Sequence, residues 1–332
     1  MSGRRHVRWL GWAITALCLG MLLWIVDFPA AWAALKAFDW PYLVLALLSL
    51  GAGYVFRILR WTVMLRATGA DTTIGSSAAA FLGSIALNNV LPLRIGDVVR
   101  VLVFPAAIGI SRSVAAASVL LERVIDLITL VICLAAGTAA VGIVALPAWL
   151  ERGALVISIC ALAALIVIVL FSRKLAFFIK LRGARADRSG IVAKVIEASF
   201  DILTGLARMS RATTLALVLV LSMLGWAGET GLYGFMLTGL GISGGAAVAL
   251  VVMAVATLST LVPSSPGYVG TFHLAALLAV DLLGGTQAQA ASFALLVHLV
   301  LWGSTTVAGG IAMLVRPDLF RQVVPGFARS HS

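Results

Sequence analysis

Residues 88–100 hold two asparagines, two arginines and an aspartate: Asn88, Asn89, Arg94, Asp97 and Arg100. Arg94, Asp97 and Arg100 are spaced three apart. On a helix they share one side, so Asp97 pairs with either arginine and one positive charge is left over. A helix starting near Pro92–Gly96 adds backbone N–H donors and a positive dipole end. Arginine binds phosphate through two parallel hydrogen bonds, so an anion such as a lipid phosphate suits this group. The competing reading is a cytoplasmic loop in the headgroup region with its charges solvated.

Glu122, Arg123 and Asp126 form a second group, in which Arg123 and Asp126 are placed to neutralise each other, as a structural clamp or as substrate contacts. Glu229 stands alone in Trp226-Ala-Gly-Glu-Thr-Gly231. It is expected to be protonated, or paired with an arginine from the 88–100 segment, and it is the best candidate for proton coupling or for contacting a cationic headgroup. His273 and His298 lack partners at ligand spacing, and Cys18, Cys133 and Cys160 lie inside apolar runs as inert thiols. Neither a metal nor a cofactor is expected. No G-x-x-x-x-G-K-[ST], H-E-x-x-H or C-x-x-C occurs, which favours transport over enzymatic catalysis.

These groups need unusual elements to hold them. The 332 residues are 62% hydrophobic and 11% charged, with a mean hydropathy of +1.10, which excludes a soluble globular domain. Continuous runs such as 155–170 do not alternate, so the membrane part is helical rather than a barrel. A charge inside such a run costs about 2.5–3.5 kcal/mol and needs a compensating partner. Spans are expected near 8–26, 40–58, 124–146, 153–172, 212–238 and 287–314, with tryptophans mostly at the interfaces.

Residues 74–110 and 245–284 are apolar but broken at Pro92 and at Pro263-Ser-Ser-Pro-Gly267, and Val98–Ile110 is short for a crossing. Basic residues gather before the first span, after the second (Arg57, Arg60, Arg66), in 173–211 and at the C-terminus. This positive-inside bias puts both termini in the cytoplasm and makes each broken region enter and return. The Pro-x-x-x-Gly spacing recurs in both, so the expectation is an all-α polytopic membrane protein of about six full spans and two broken re-entrant hairpins. They form two inverted halves, near 8–147 and 153–315, within one membrane domain of residues 1–330. Residues 191–210 form an amphipathic helix expected on the cytoplasmic surface, within the basic 173–211 connection. Charge confined to loops argues for anionic lipid and against nucleic acid.

The motifs Arg57-x-x-Arg60-Trp61, Asn88-Asn-Val-Leu-Pro-Leu-Arg-Ile-Gly-Asp-Val-Val-Arg100, Glu122-Arg-Val-Ile-Asp126 and Pro263-Ser-Ser-Pro-Gly-Tyr-Val-Gly270 occur in that order. Together they resemble the lysylphosphatidylglycerol synthase transmembrane region, or flippase-like family, over roughly residues 10–315. The resemblance implies translocation of a polar-headgroup lipid between leaflets of the inner (plasma) membrane. Aminoacyl-phospholipid, polyprenyl-phosphate sugar and hopanoid types are the substrate classes that the resemblance implies. It makes Arg94, Asp97, Arg100, Arg123, Asp126 and the second break, with Ser264, Ser265, Gly267, Tyr268 and Gly270, counterparts of the family's motif positions. Two departures stand out. The synthase's acyltransferase-like domain does not follow, so lipid synthesis is not expected. His273 replaces an acidic residue common in members, which argues against a cationic headgroup; Asp97 stands where many carry glutamate. Membrane lipids are the expected partners, with lipid-biosynthesis enzymes as further candidates and no expectation for oligomeric state. The alternatives are a proton-coupled carrier for a small organic anion using Glu229, and a non-transporting subunit of a lipid-modifying system.

Overall fold

The structure, a computed structural model, describes residues 15–24, 26–91, 94–142, 148–184, 191–262 and 264–320. The expected basic N-terminus, Pro92, Pro263, the basic loop at 185–190 and the last basic residues therefore lie outside the described residues. All described regular structure is helical. Helices α1 (Thr15–Trp24) and α2 (Phe28–Lys36) meet at 84°. The expected first span, near 8–26, is thus followed by a sharp turn, because Asp27 caps a new helix by accepting from the Ala30 N–H while proline sits in its first turn.

The long helices are α3 (Pro41–Ala67), α7 (Arg112–Val141), α8 (Ala148–Ala184), α10 (Ala212–Gly239) and α13 (Gln287–Val315). Five helices among the described residues, all within these elements, are long and apolar enough to cross a membrane; the bent α1–α2 pair would be a sixth. The chain is a multi-pass, all-helical membrane protein. Three of these helices outrun their expected bounds, α7 by starting at Arg112 instead of near residue 124. Helix α3 continues past residue 58 to carry Arg60 and Arg66, and α8 continues past 172 to carry Arg173, Lys174 and Lys180.

Between them sit two interrupted segments. The first is α4 (Ile74–Val90), α5 (Ile95–Leu102) and α6 (Phe104–Ile108). The expected continuous return over 98–110 is split at Val103 because Pro105, in the first turn of α6, cannot continue a helix. The second is α11 (Gly245–Ser259), a 3₁₀ turn (Pro266–Tyr268) and α12 (Thr271–Leu282). Helix α14 (Pro317–Phe320) closes the described chain.

Small residues set the packing. Helix α3 crosses α10 where Gly53 meets Gly225 and Gly228; a Cβ on Gly228 would lie 2.5 Å from the Gly53 Cα. The Ser49 hydroxyl donates to the Gly228 carbonyl at 2.8 Å. Small residues let membrane helices approach until their backbones touch. Helix α4 packs on α13 at Gly309, and α11 packs on α7 at Gly137. The amphipathic segment is α9 (Ile191–Met209), whose Leu206 and Met209 are buried with residues of α7. It is held against the bundle, and Arg208 donates to the Thr68 carbonyl at the end of α3 (2.7 Å).

Candidate functional site

The crossing of α3 and α10 leads directly into charge. One turn beyond Gly53, Arg57 donates to Glu229 of α10 at 2.6 Å, and its guanidinium stacks 4.2 Å from the Trp226 ring. Tyr54, Arg57, Trp226 and Glu229 form one wall of a cavity of about 440 Å³. Arg123 and Asp126 of α7 form a second wall, and Asn89, Arg94 and Tyr268, from the two interrupted segments, a third. Leu127, Leu130, Leu261 and Leu301 supply apolar surface between them. A volume in this range suits a headgroup or small molecule.

Behind the Arg123–Asp126 wall lies a buried ion network. Arg100 donates through both terminal nitrogens to Glu122, at 3.1 and 2.7 Å, and lies between the Trp61 and Phe81 rings at 4.2 and 4.7 Å. Arg60 binds Asp126 at 2.5 and 3.3 Å and the Ser222 hydroxyl at 2.9 Å, with Glu122 at 3.7 Å. Asp126 also accepts from the Trp226 indole at 3.2 Å. Asp97 is held by Arg123 at 3.2 and 3.1 Å and by the Asn88 amide at 3.0 Å. Each charge here has an opposite partner, which is the first condition for tolerating it away from water, while the buried Nε groups of Arg60, Arg100 and Arg123 have no hydrogen-bond partner.

Arg94 breaks that pattern. Among the described residues it has no carboxylate partner; its acceptors are the Tyr268 hydroxyl (2.8 Å) and the Thr260 hydroxyl and carbonyl (3.3 and 3.5 Å). It is the unneutralised cation among Arg57, Arg60, Arg94, Arg100 and Arg123 set against Asp97, Glu122, Asp126 and Glu229. Among the described residues, Arg94 and Tyr268 are also the two non-glycine residues with left-handed backbone, at φ 52° and 58°. Such a conformation is unfavourable for side-chain-bearing residues and gathers at functional sites. Nearby, Asn89 bridges to Thr305 and Thr306 of α13 (2.9 and 3.0 Å) and accepts from Trp302.

Several expectations are corrected. Asp97 pairs with Arg123 rather than Arg94 or Arg100, and Asp126 pairs with Arg60 rather than Arg123, because α3 and α7 bring in charges from outside the local motif. The arginine partner of Glu229 comes from α3, not from the 88–100 segment. Arg100, an expected headgroup ligand, is 1% exposed, spent on Glu122 and absent from the cavity wall. Gly270 packs against Thr15 and Cys18 of α1 instead of facing the cavity, and Ser265 donates its N–H to Thr15. His273 also lies outside the cavity; its ring packs 4.4 Å from that of His298, which bonds the Gly267 carbonyl at 2.7 Å. Trp61 and Trp226 are buried arginine platforms and not interface markers, and Cys160 is exposed where a buried thiol was expected. Ser264 and Asn88 line a smaller neighbouring cavity.

Sequence reasoning took Arg57 and Arg60 for cytoplasmic charges. The signal against that was the apolar run through Trp61, Met64 and Leu65, which continues the helix beyond them. Among the described residues no group of three His, Cys, Asp or Glu side chains could hold a metal.

Compared with known families, residues 8–309 match the model described as Lysylphosphatidylglycerol synthase TM region. No curated protein and no solved structure matches the chain.

Proposed function

The chain belongs to the lysylphosphatidylglycerol synthase TM region family, and from that premise we propose that it moves a lipid with a phosphate-bearing headgroup between membrane leaflets. The observation that carries this reading is Arg94: a cation facing a 440 Å³ cavity with only neutral oxygens on it. A phosphate oxygen is a stronger acceptor than a phenol or a threonine hydroxyl, because both partners are then charged. Phospholipid and polyprenyl-phosphate headgroups meet that demand, whereas a hopanoid lacking phosphate does not. The protein acts as a transporter, not an enzyme, in the inner or plasma membrane with both termini cytoplasmic. Membrane lipid is its partner.

The packing supports two related halves. Exchanging α3 with α10, α4 with α11 and α7 with α13 leaves the α3–α10 pair unchanged and turns the α4–α13 contact into the α11–α7 contact. Two halves meeting around a central site are the usual frame for alternating access.

The test is translocation of a fluorescent phosphatidylglycerol in reconstituted vesicles. Arg94→Ala is expected to abolish it while the purified protein elutes and unfolds as the wild type does; unchanged flipping rejects the reading. A second reading, a proton-coupled carrier of a small organic anion, is favoured by the Arg57–Glu229 pair at the cavity wall. Uptake driven by a pH gradient, and lost in Glu229→Gln, would select it.

A further inference from the structure

The Arg94–Tyr268 bond has a cavity on each side. A second space of about 220 Å³ shares Arg94, Thr260, Leu261, Gly267 and Tyr268 with the larger one. Beyond that common wall it is lined by Asn88, Ser264 and Ser265 and by the apolar Leu91, Val262 and Pro266. The partition between the two cavities is therefore built from the two left-handed residues and the bond between them, one contributed by each interrupted segment.

Three properties make this partition movable. The bond joins a side chain of one segment to a side chain of the other, so breaking it disturbs no helix hydrogen bond. Both backbones are held in a conformation that relaxation would favour leaving. The cation is held by neutral acceptors, so any anion reaching it competes on better terms than the phenol it displaces. The Tyr268 ring also lies 5.5 Å from the guanidinium, so loss of the hydroxyl alone leaves the ring contact in place.

We propose that the Arg94–Tyr268 bond is an anion-operated gate. A phosphate group entering the smaller cavity takes the place of the Tyr268 hydroxyl on Arg94, and that exchange opens the polar route into the larger cavity. The smaller cavity is the receiving site, with Asn88 and Ser264 as its neutral polar lining. What then passes rests on the translocation reading, but the gate is defined by access between two spaces and is measured without translocation.

The experiment uses the full chain in detergent with Cys18, Cys133 and Cys160 replaced by serine. Thr257→Cys reports the larger cavity, which Thr257 lines without touching the smaller one, and Ser264→Cys reports the smaller. A charged methanethiosulfonate reagent measures both. Tyr268→Phe is expected to speed modification at Thr257→Cys by about tenfold, the effect of one hydrogen bond to a charged group. Modification at Ser264→Cys is expected to stay the same. Phosphatidylglycerol should speed the Thr257→Cys reaction when Tyr268 is intact and add nothing in Tyr268→Phe. Arg94→Gln breaks the same bond from the other side and should give the fast rate with no response to lipid, which covers the case that Tyr268→Phe misfolds. Glycerol phosphate run in parallel distinguishes the source: acceleration by it shows that the free headgroup suffices, and acceleration by the lipid alone shows that chains are needed. Equal Thr257→Cys rates with and without the Tyr268 hydroxyl, or no response to either anion, would overturn the gate even if lipid flipping is observed.

Discussion

Arg94 and Arg100 come from one short segment and meet opposite environments. Arg100 is enclosed between two aromatic rings with both terminal nitrogens on Glu122. Arg94 sits at the cavity wall on a phenol and a threonine. Their residue type and local spacing are alike, so the difference is made elsewhere: α7 supplies a carboxylate to one and not to the other. An arginine paired with a buried carboxylate fixes the fold, and one with neutral partners is free to exchange them. The motif thus contains a structural post and a ligand-facing group side by side.

The comparison is broken most directly at the post. Glu122→Ala should cost about 3–5 kcal/mol, because it strands Arg100 and leaves Arg60 with Asp126 as its one carboxylate. Thermal unfolding should show that loss, and a protein as stable as the wild type would remove the distinction. Arg94→Ala should do the reverse, leaving the unfolding midpoint nearly unchanged while phosphate-lipid affinity falls by about 1.5–3 kcal/mol, the range for a hydrogen bond to a charged group. Lipid titration read by native mass spectrometry checks it. Gly228→Ala tests whether the frame between the two arginines and α10 is as tight as it looks. A Cβ there would sit 2.7 Å from the Ser49 carbonyl oxygen as well as against Gly53, and overpacking of this kind costs about 1–3 kcal/mol. The unfolding midpoint should drop accordingly.

The smallest effect belongs to an exposed pair, Arg316–Asp318 at 2.8 Å, outside the spans. The hydrogen bond from Arg316 holds the Asp318 carboxyl below its ordinary 3.8. Its contribution is therefore complete at neutral pH and is lost as pH falls below that value through the lowered one. For a surface pair this is under about 1 kcal/mol. Asp318→Asn should match the wild type at low pH and fall slightly below it at pH 7.

Much of the architecture was legible because membrane helices announce themselves by apolar runs and their interruptions by proline and glycine. The two broken regions, the excess positive charge near residue 94 and the multi-pass helical class all follow from local sequence. The pairing did not. Arg57 finds Glu229 across 172 residues and Arg60 finds Asp126 across 66, and no periodicity in either stretch reports the other. Local spacing instead suggested Asp97 with its neighbours on the same helix, which is the cheapest guess and the wrong one once α7 stands alongside. The end of α3 was misjudged for a related reason: a charge in an apolar run reads as its end unless the distant carboxylate that neutralises it is known.

The backbone contact between α3 and α10 has a mechanical consequence. Where glycine faces glycine the backbones themselves touch, and the side chains set against them are Ser49 and Arg57, so a turn of one helix on the other there would displace two side chains and not a whole layer of the core. That crossing is a natural fulcrum, with Arg57 and Glu229 next to the pivot and the two interrupted segments out on the lever arms. A small rotation at Gly53 and Gly228 would shift the pair at the pivot little and the arms' tips the most.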